Sequence, residues 1–233
     1  MKVQILGVTI DSITEDEARE RVVGFLRHDR QHIVVTPNPE FLLLARRDDE
    51  FRAILNSADL ALPDGVGLIA AARIFGERIQ ERITGVRFVH LLCNEAEGLG
   101  KTVFFFGGNE QVAANAGKEL QKLYPQLRVG GAESGGAVKQ LTDGQWIYEK
   151  GNILATIRQV KPDILFVALG QGKQEKWIAD NLKLFPSVKV AMGVGGALDY
   201  IAGAASWAPA WVREVGLEWL WRLAHEPRRW RRI

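Results

Sequence analysis

Short runs of β-branched and aromatic residues alternate with stretches of helical periodicity along most of this chain. That alternation limits its fold more than any other feature. VQILGVTI (3–10), HIVVT (32–36), ADLAL (58–62), TVFFFGG (102–108), DILFVALG (163–170) and VKVAMGVGG (188–196) read as strands, and QLRVGG (126–131) as a weaker one. Between them lie helix signals. Thr14 and Glu17 form a capping box for a helix to about His28, and Asn38 with Pro39 opens one over EFLLLARR. GVGLIAAARIF follows the third strand, Thr84 caps GVRFVHLLCNEAEGLG, and NEQVAANAGKELQKLY follows VFFF. Residues 143–160 and KQEKWIADNLKLF complete the helical set. The expectation is an α/β fold: a mostly parallel, Rossmann-like sheet with helices on both faces.

The chain divides by composition. Residues 1 to about 204 read as one catalytic-sized α/β domain, and 205–233 as a separate helical appendage. From Trp207 onward there are six arginines against three glutamates and five of the seven tryptophans, whereas the whole chain carries a net charge of only +2. The single cysteine, Cys93, excludes an internal disulfide and fits a reducing compartment. MKVQILGVTID turns polar too soon for a secretory signal, and no run of eighteen apolar residues is present to span a membrane.

The unusual residues fall where the strands end. Thr36 and Asn38 follow the second strand, and Asp64 sits in LPDG after the third. Gly107 and Gly108 follow the fourth, Gly170 to Glu175 follow DILFVAL, and Gly193 to Asp199 follow VKVAM. In an open parallel sheet all of these would meet at the carboxyl edge, where ligands bind. Glycine-rich turns ahead of helices suit phosphate, because amide N–H groups point outward unobstructed. Neither GVGGALD nor FFFGGNEQVA completes a dinucleotide or P-loop fingerprint.

Several chemistries lack their residues. The four histidines and Cys93 have no metal-ligand spacing, no D-x-D pair is present, and no serine stands in a G-x-S-x-G turn. His90 and Cys93, three apart on one helix, are expected to face the core. A lone carboxylate, polar amides, phosphate-compatible loops and arginines remain. That set suits transfer to a hydroxyl deprotonated by the carboxylate, with leaving-group charge met by cations and N–H groups. Asp64 equally suits an N-cap for the helix that follows it, and the two roles are compatible.

TPNPEF, LPDGVG, ERITG, FFFGG, LGQGKQEKW, GVGGALD and GLEWLWRLAHEPRR occur in that order. With them the chain resembles, over essentially its whole length, the WecG/TagA/CpsF family of bacterial glycosyltransferases. The resemblance implies inverting, metal-independent transfer, with no cofactor. The donor is a UDP-sugar, N-acetylmannosamine or its uronic acid in the best-known members. The acceptor is undecaprenyl-diphosphate-linked GlcNAc at the inner face of the cytoplasmic membrane, and the product is a β-1,4 linkage for teichoic acid or surface polysaccharide. It also assigns residues. Asp64 matches the general base, Thr36 and Asn38 a T-x-N motif beside sugar and phosphates, and Arg82 a site arginine. Gln174 and Glu175 match a Q-E pair, and Gly193, Gly195, Gly196 and Asp199 a glycine loop. Arg213, Arg222, Arg228 and Arg229 match an appendage that touches membrane and closes the site.

Three positions depart from the family pattern. Gly172 stands where a proline is usual, so a more mobile loop is expected there; Leu198 replaces a phenylalanine; and Trp207 replaces an arginine. Independently of the resemblance, Trp beside Arg in the appendage suits a membrane interface, or a helix packed on the body or on a second subunit. Its excess charge is thin for nucleic acid. Two other readings are a membrane-recruited nucleotide-sugar sensor without turnover and a transferase of another hexose in exopolysaccharide assembly.

Overall fold

The computed structural model describes residues 1–209 together with Val212 and Trp221. Its centre is a six-stranded parallel sheet built from β3 (His32–Val35), β4 (Leu60–Ala61), β5 (Thr102–Gly107), β6 (Arg128–Glu133), β9 (Ile164–Ala168) and β10 (Val190–Gly193). The strands lie in the order β4-β3-β10-β9-β5-β6. The four strands that complete the numbering pair elsewhere, as two hairpins. β1 (Lys2–Ile5) and β2 (Val8–Asp11) form an antiparallel hairpin, as do β7 (Val138–Gln140) and β8 (Trp146–Tyr148).

Side chains alternate between the two faces of the sheet, and both faces are apolar, as a doubly covered parallel sheet requires. Val103 and Phe105, Phe166, and Val190 and Met192 join one core with α1 (Glu15–Arg27), α5 (Gly85–Gly98), α6 (Val112–Leu123) and α9 (Ala197–Ile201). Phe105 stacks on Phe166 at 5.1 Å across β5 and β9. On the other face, Phe104, Phe106, Leu165, Val167 and Ala191 pack with α7 (Ile153–Val160) and α8 (Lys173–Asn181). Beside them Val35 and Ala61 pack with the first hairpin, α2 (Pro39–Ala45), α3 (Asp49–Ser57) and α4 (Val66–Ile74). Trp177 of α8 is fully buried there, and its indole N–H donates to the Tyr148 hydroxyl at 3.0 Å.

The caps expected at Thr14, Asn38 and Thr84 are present, each side chain accepting a backbone N–H three residues on. Three expectations are corrected. VQILGVTI is two strands outside the main sheet, because Leu6 and Gly7, at φ 49 and 82, make a tight turn in its middle. The buried Asp11 fixes this hairpin against the sheet: its carboxylate accepts the Ala61 N–H at 2.9 Å and the Arg21 guanidinium at 2.8 Å. Helix α3, capped by Asp48, stands where no element was expected. Finally, the helix expected over 143–160 begins only at Ile153, where Asn152 caps it; the segment before it is the β7–β8 hairpin. No helix among the described residues is long and apolar enough to cross a membrane. Most of the appendage lies outside the described residues, although Val212 is buried.

Candidate active site

Because the six strands are parallel, the turns after β3, β4, β5, β9 and β10 share one edge, as expected. Neighbouring strands also send the chain to opposite faces. β9 leads to α8 on one face and β5 to α6 on the other; β3 leads to α2 and β10 to α9 in the same opposed sense. Such reversals open a crevice beyond the strand ends.

At the β3–β4 end of this edge, backbone hydrogen bonds staple three segments together. Asp64 N–H donates to Pro37 O at 2.8 Å, and Ile83 N–H to Pro63 O at 3.0 Å. The half-buried Asp64 carboxylate then accepts the N–H of Gly85, the first residue of α5, at 3.1 Å. A Cβ placed on Gly85 would lie 3.5 Å from Thr36 Oγ1 and 3.7 Å from Asp64 Oδ2, so both oxygens flank the start of that helix. A helix N-terminus favours negative charge at that point. The expected cap is therefore corrected: α4 is preceded by Gly65 at φ 90 and has no side-chain cap, while Asp64 reaches across to α5. Arg82, half-buried, immediately precedes Ile83, whose N–H is bonded to the Asp64 turn. Asn38 spends its Oδ1 on the Phe41 N–H, and its amide N–H groups are not part of that cap.

A second constellation joins the turns after β9 and β10. Gln174 and Glu175 are 3 % and 1 % exposed, and their polar atoms bond to one another and to these turns. Gln174 Nε2 donates to Glu175 Oε1 at 2.7 Å, Gly172 N–H to Glu175 Oε2 at 2.7 Å, and Gly195 N–H to Gln174 Oε1 at 2.9 Å. Burial pushes the Glu175 carboxyl up to about 7, against the pull of the Gln174 and Gly172 hydrogen bonds. The glycine at 172 has a structural use: at φ 80 it holds a conformation closed to proline, and it donates an N–H that proline lacks. Gly193, Gly195 and Gly196 follow this latch, and Asp199 lies in the first turn of α9.

Gly107 and Gly108 are set by close approach. A Cβ on Gly107 would collide with the Ala168 carbonyl, to which Gly108 N–H donates at 2.8 Å. Trp207 packs on Tyr200 with ring centroids 4.6 Å apart. Cys93 is buried, as expected, but His90 is only half-buried, 3.4 Å from the Tyr124 hydroxyl, with burial lowering its proton affinity. Arg213, Arg222, Arg228 and Arg229 lie outside the described residues. Sequence reasoning missed Gly85 as the donor to Asp64; the available signal was the Thr84 cap, which marks a helix start with unpaired N–H groups.

Residues 3–233 match the model of the Glycosyl transferase WecG/TagA/CpsF family. Three relatives carry the name N-acetylglucosaminyldiphosphoundecaprenol N-acetyl-beta-D-mannosaminyltransferase. The protein of Bacillus spizizenii is 32% identical over 90% of this chain and 77% of its own length. That of Bacillus subtilis is 31% identical over 86% and 74%. That of a Staphylococcus aureus strain is 31% identical over 100% and 87%.

Proposed function

This chain is a glycosyltransferase of the WecG/TagA/CpsF family, and we propose that it moves N-acetylmannosamine from UDP-N-acetylmannosamine to undecaprenyl-diphosphate-linked GlcNAc. The observation that carries the reading is Asp64, held beside Thr36 at the start of α5 on the ligand edge of the sheet. The names of the relatives support the same donor sugar and acceptor.

In this reading the acceptor O–H gives its proton to Asp64 as its oxygen attacks the anomeric carbon. The bond from that carbon to the UDP oxygen breaks on the opposite side, its electron pair stays with UDP, and the configuration inverts to give a β-1,4 linkage. Arg82, the N–H groups of the glycine turns and the appendage arginines take the charge of the departing diphosphate, a task no metal performs in this mechanism. The absence of any D-x-D pair in the sequence supports that assignment. Thr36 and Asn38 position the donor. Gln174 and Glu175 act through the Gly193–Gly196 turn, as positioning residues. The enzyme works as a peripheral protein on the inner face of the cytoplasmic membrane, with its appendage against the lipid.

The test is UDP release, with EDTA present, from a panel of UDP-sugars and a short-chain lipid-diphosphate GlcNAc acceptor. UDP-N-acetylmannosamine should turn over best, and Asp64→Asn should lower kcat by about 10²- to 10⁴-fold, the usual worth of a general base. Near-normal turnover in Asp64→Asn would remove the base assignment. Binding of UDP-sugar by the parent chain without release of UDP would favour the sensor reading.

A further inference from the structure

Helix α4 starts directly after the Asp64 turn and ends in two apolar side chains turned to water: Ile74 is 82% exposed and Phe75 55%. Nothing in the helix end requires them. The last turn is closed by backbone alone, with Gly76 N–H donating to Arg73 O at 3.1 Å and Glu77 N–H to Ala72 O at 2.8 Å. The core needs of α4 are met on its other side, where Leu68 and Ala72 are buried against the first hairpin. Arg73 and Arg78 bracket the apolar pair, both exposed, and neither makes an ion pair among the described residues. Glu77, the carboxylate within this stretch, is half-buried. Adjacent exposed aromatic and branched aliphatic side chains flanked by cations match the chemistry of an anionic bilayer surface: the apolar pair enters the acyl boundary and the arginines meet phosphate.

We infer that Arg73, Ile74, Phe75 and Arg78 form a membrane contact on the catalytic body, separate from the C-terminal appendage. The inference rests on the lipid-linked acceptor of the proposed function and adds an orientation to it. Nine residues of α4 rise about 1.5 Å each. The helix therefore acts as a short spacer of fixed length between the bilayer and the base at its other end. An acceptor whose lipid stays in the membrane would present its sugar to Asp64 along the helix. A contact on the body in addition to that of the appendage would fix the edge of the sheet relative to the bilayer, where one would leave it free to swing.

The test uses the full chain and its variants Ile74→Ser/Phe75→Ser and Arg73→Gln/Arg78→Gln. Cosedimentation is measured with vesicles of phosphatidylcholine, with and without phosphatidylglycerol. Turnover is measured with a soluble short-chain acceptor and with a full-length lipid acceptor in vesicles. The serine variant should bind vesicles about tenfold more weakly and show a raised KM for the vesicle acceptor, while kcat/KM on the soluble acceptor is unchanged. The glutamine variant should lose the preference for phosphatidylglycerol. Unchanged vesicle binding in the serine variant overturns the inference. So does a dimer of the parent chain that dissociates in that variant, which would make the patch a contact between copies. Faster proteolysis after residue 209 with vesicle binding unchanged would put the chain's own C-terminal segment on the patch, and equally overturns it. Failure of the parent chain to turn over any acceptor would instead remove the proposed function, and vesicle binding would still report on the patch by itself.

Discussion

Glu175 carries a carboxyl group out of water with two hydrogen-bond donors for company, the Gly172 N–H and the Gln174 amide. Those donors favour the ionised form, but burial outweighs them and raises the group from an ordinary 4.5 to about 7. The folded state therefore holds a proton that the unfolded chain has released throughout the window between these two values, so stability falls as pH rises through it. The slope approaches 1.4 kcal/mol per pH unit, about 3 kcal/mol across the window. In urea titrations at pH 5, 6, 7 and 8, Glu175→Gln should flatten this part of the profile, since its amide does not titrate. Parallel profiles for parent and variant would show that Glu175 does not titrate in this range. The variant should also lower kcat, because an amide cannot accept from both donors and the Gly195 turn is latched through Gln174. At this scale the sequence pointed to these residues by type but not to the partners they find on folding. Asp64 reads as a cap for the helix beside it, because P-D-G is cap-like. Its actual partner, Gly85, lies twenty-one residues away and is joined to it only by folding. Gln174 and Glu175 read as ligand contacts because they follow a strand at the carboxyl edge and match the family's Q-E pair. Burial is a tertiary property, and here their polar atoms bond to one another and to the turns at Gly172 and Gly195.

Where strands β5 and β9 end, their backbones approach so closely that position 107 has no room for a side chain. Gly107→Ala would push a methyl group into the Ala168 backbone and hold alanine at φ 106. Gly144, in the turn between β7 and β8, also has a positive φ of 84 but nothing within 4 Å of a Cβ. The pair separates two costs. Gly144→Ala should cost about 1 kcal/mol for the backbone conformation alone, and Gly107→Ala that amount plus about 1–3 kcal/mol for overpacking. Thermal unfolding should then drop by about 2–4 °C in the first and two to four times as far in the second. Equal drops would refute the close-approach argument for Gly107. Elements were legible wherever local chemistry was decisive: Thr14, Asn38 and Thr84 announce their helices, and the continuous apolar run of TVFFFG announces its strand. The first hairpin was missed because VQILGVTI is apolar on both sides of its turn, with Leu rather than Asn or Asp in the first left-handed position. The β7–β8 hairpin was missed because its three-residue strands are shorter than any periodicity can register.

At the scale of the molecule, both faces of the sheet are covered by elements of the body. Among the described residues, its three apolar clusters draw their members from before residue 203. A chain ending at residue 204 should thus fold cooperatively, with a modest loss of stability from whatever covers the buried Ala208 and Val212 in the full chain. Its chemistry should suffer far more. In the proposed mechanism the body supplies the base and the glycine turns, and part of the diphosphate charge falls to Arg213, Arg222, Arg228 and Arg229. A charge-assisted hydrogen bond contributes about 1.5–3 kcal/mol, so removing even two should lower kcat/KM on a soluble acceptor by about 10²- to 10⁴-fold. Vesicle binding, by contrast, should weaken without vanishing, since Ile74 and Phe75 remain. The two readouts divide the roles of the appendage. Full turnover of the soluble acceptor by the truncated chain would confine the appendage to the membrane, and complete loss of vesicle binding would leave the α4 tip with no share in it.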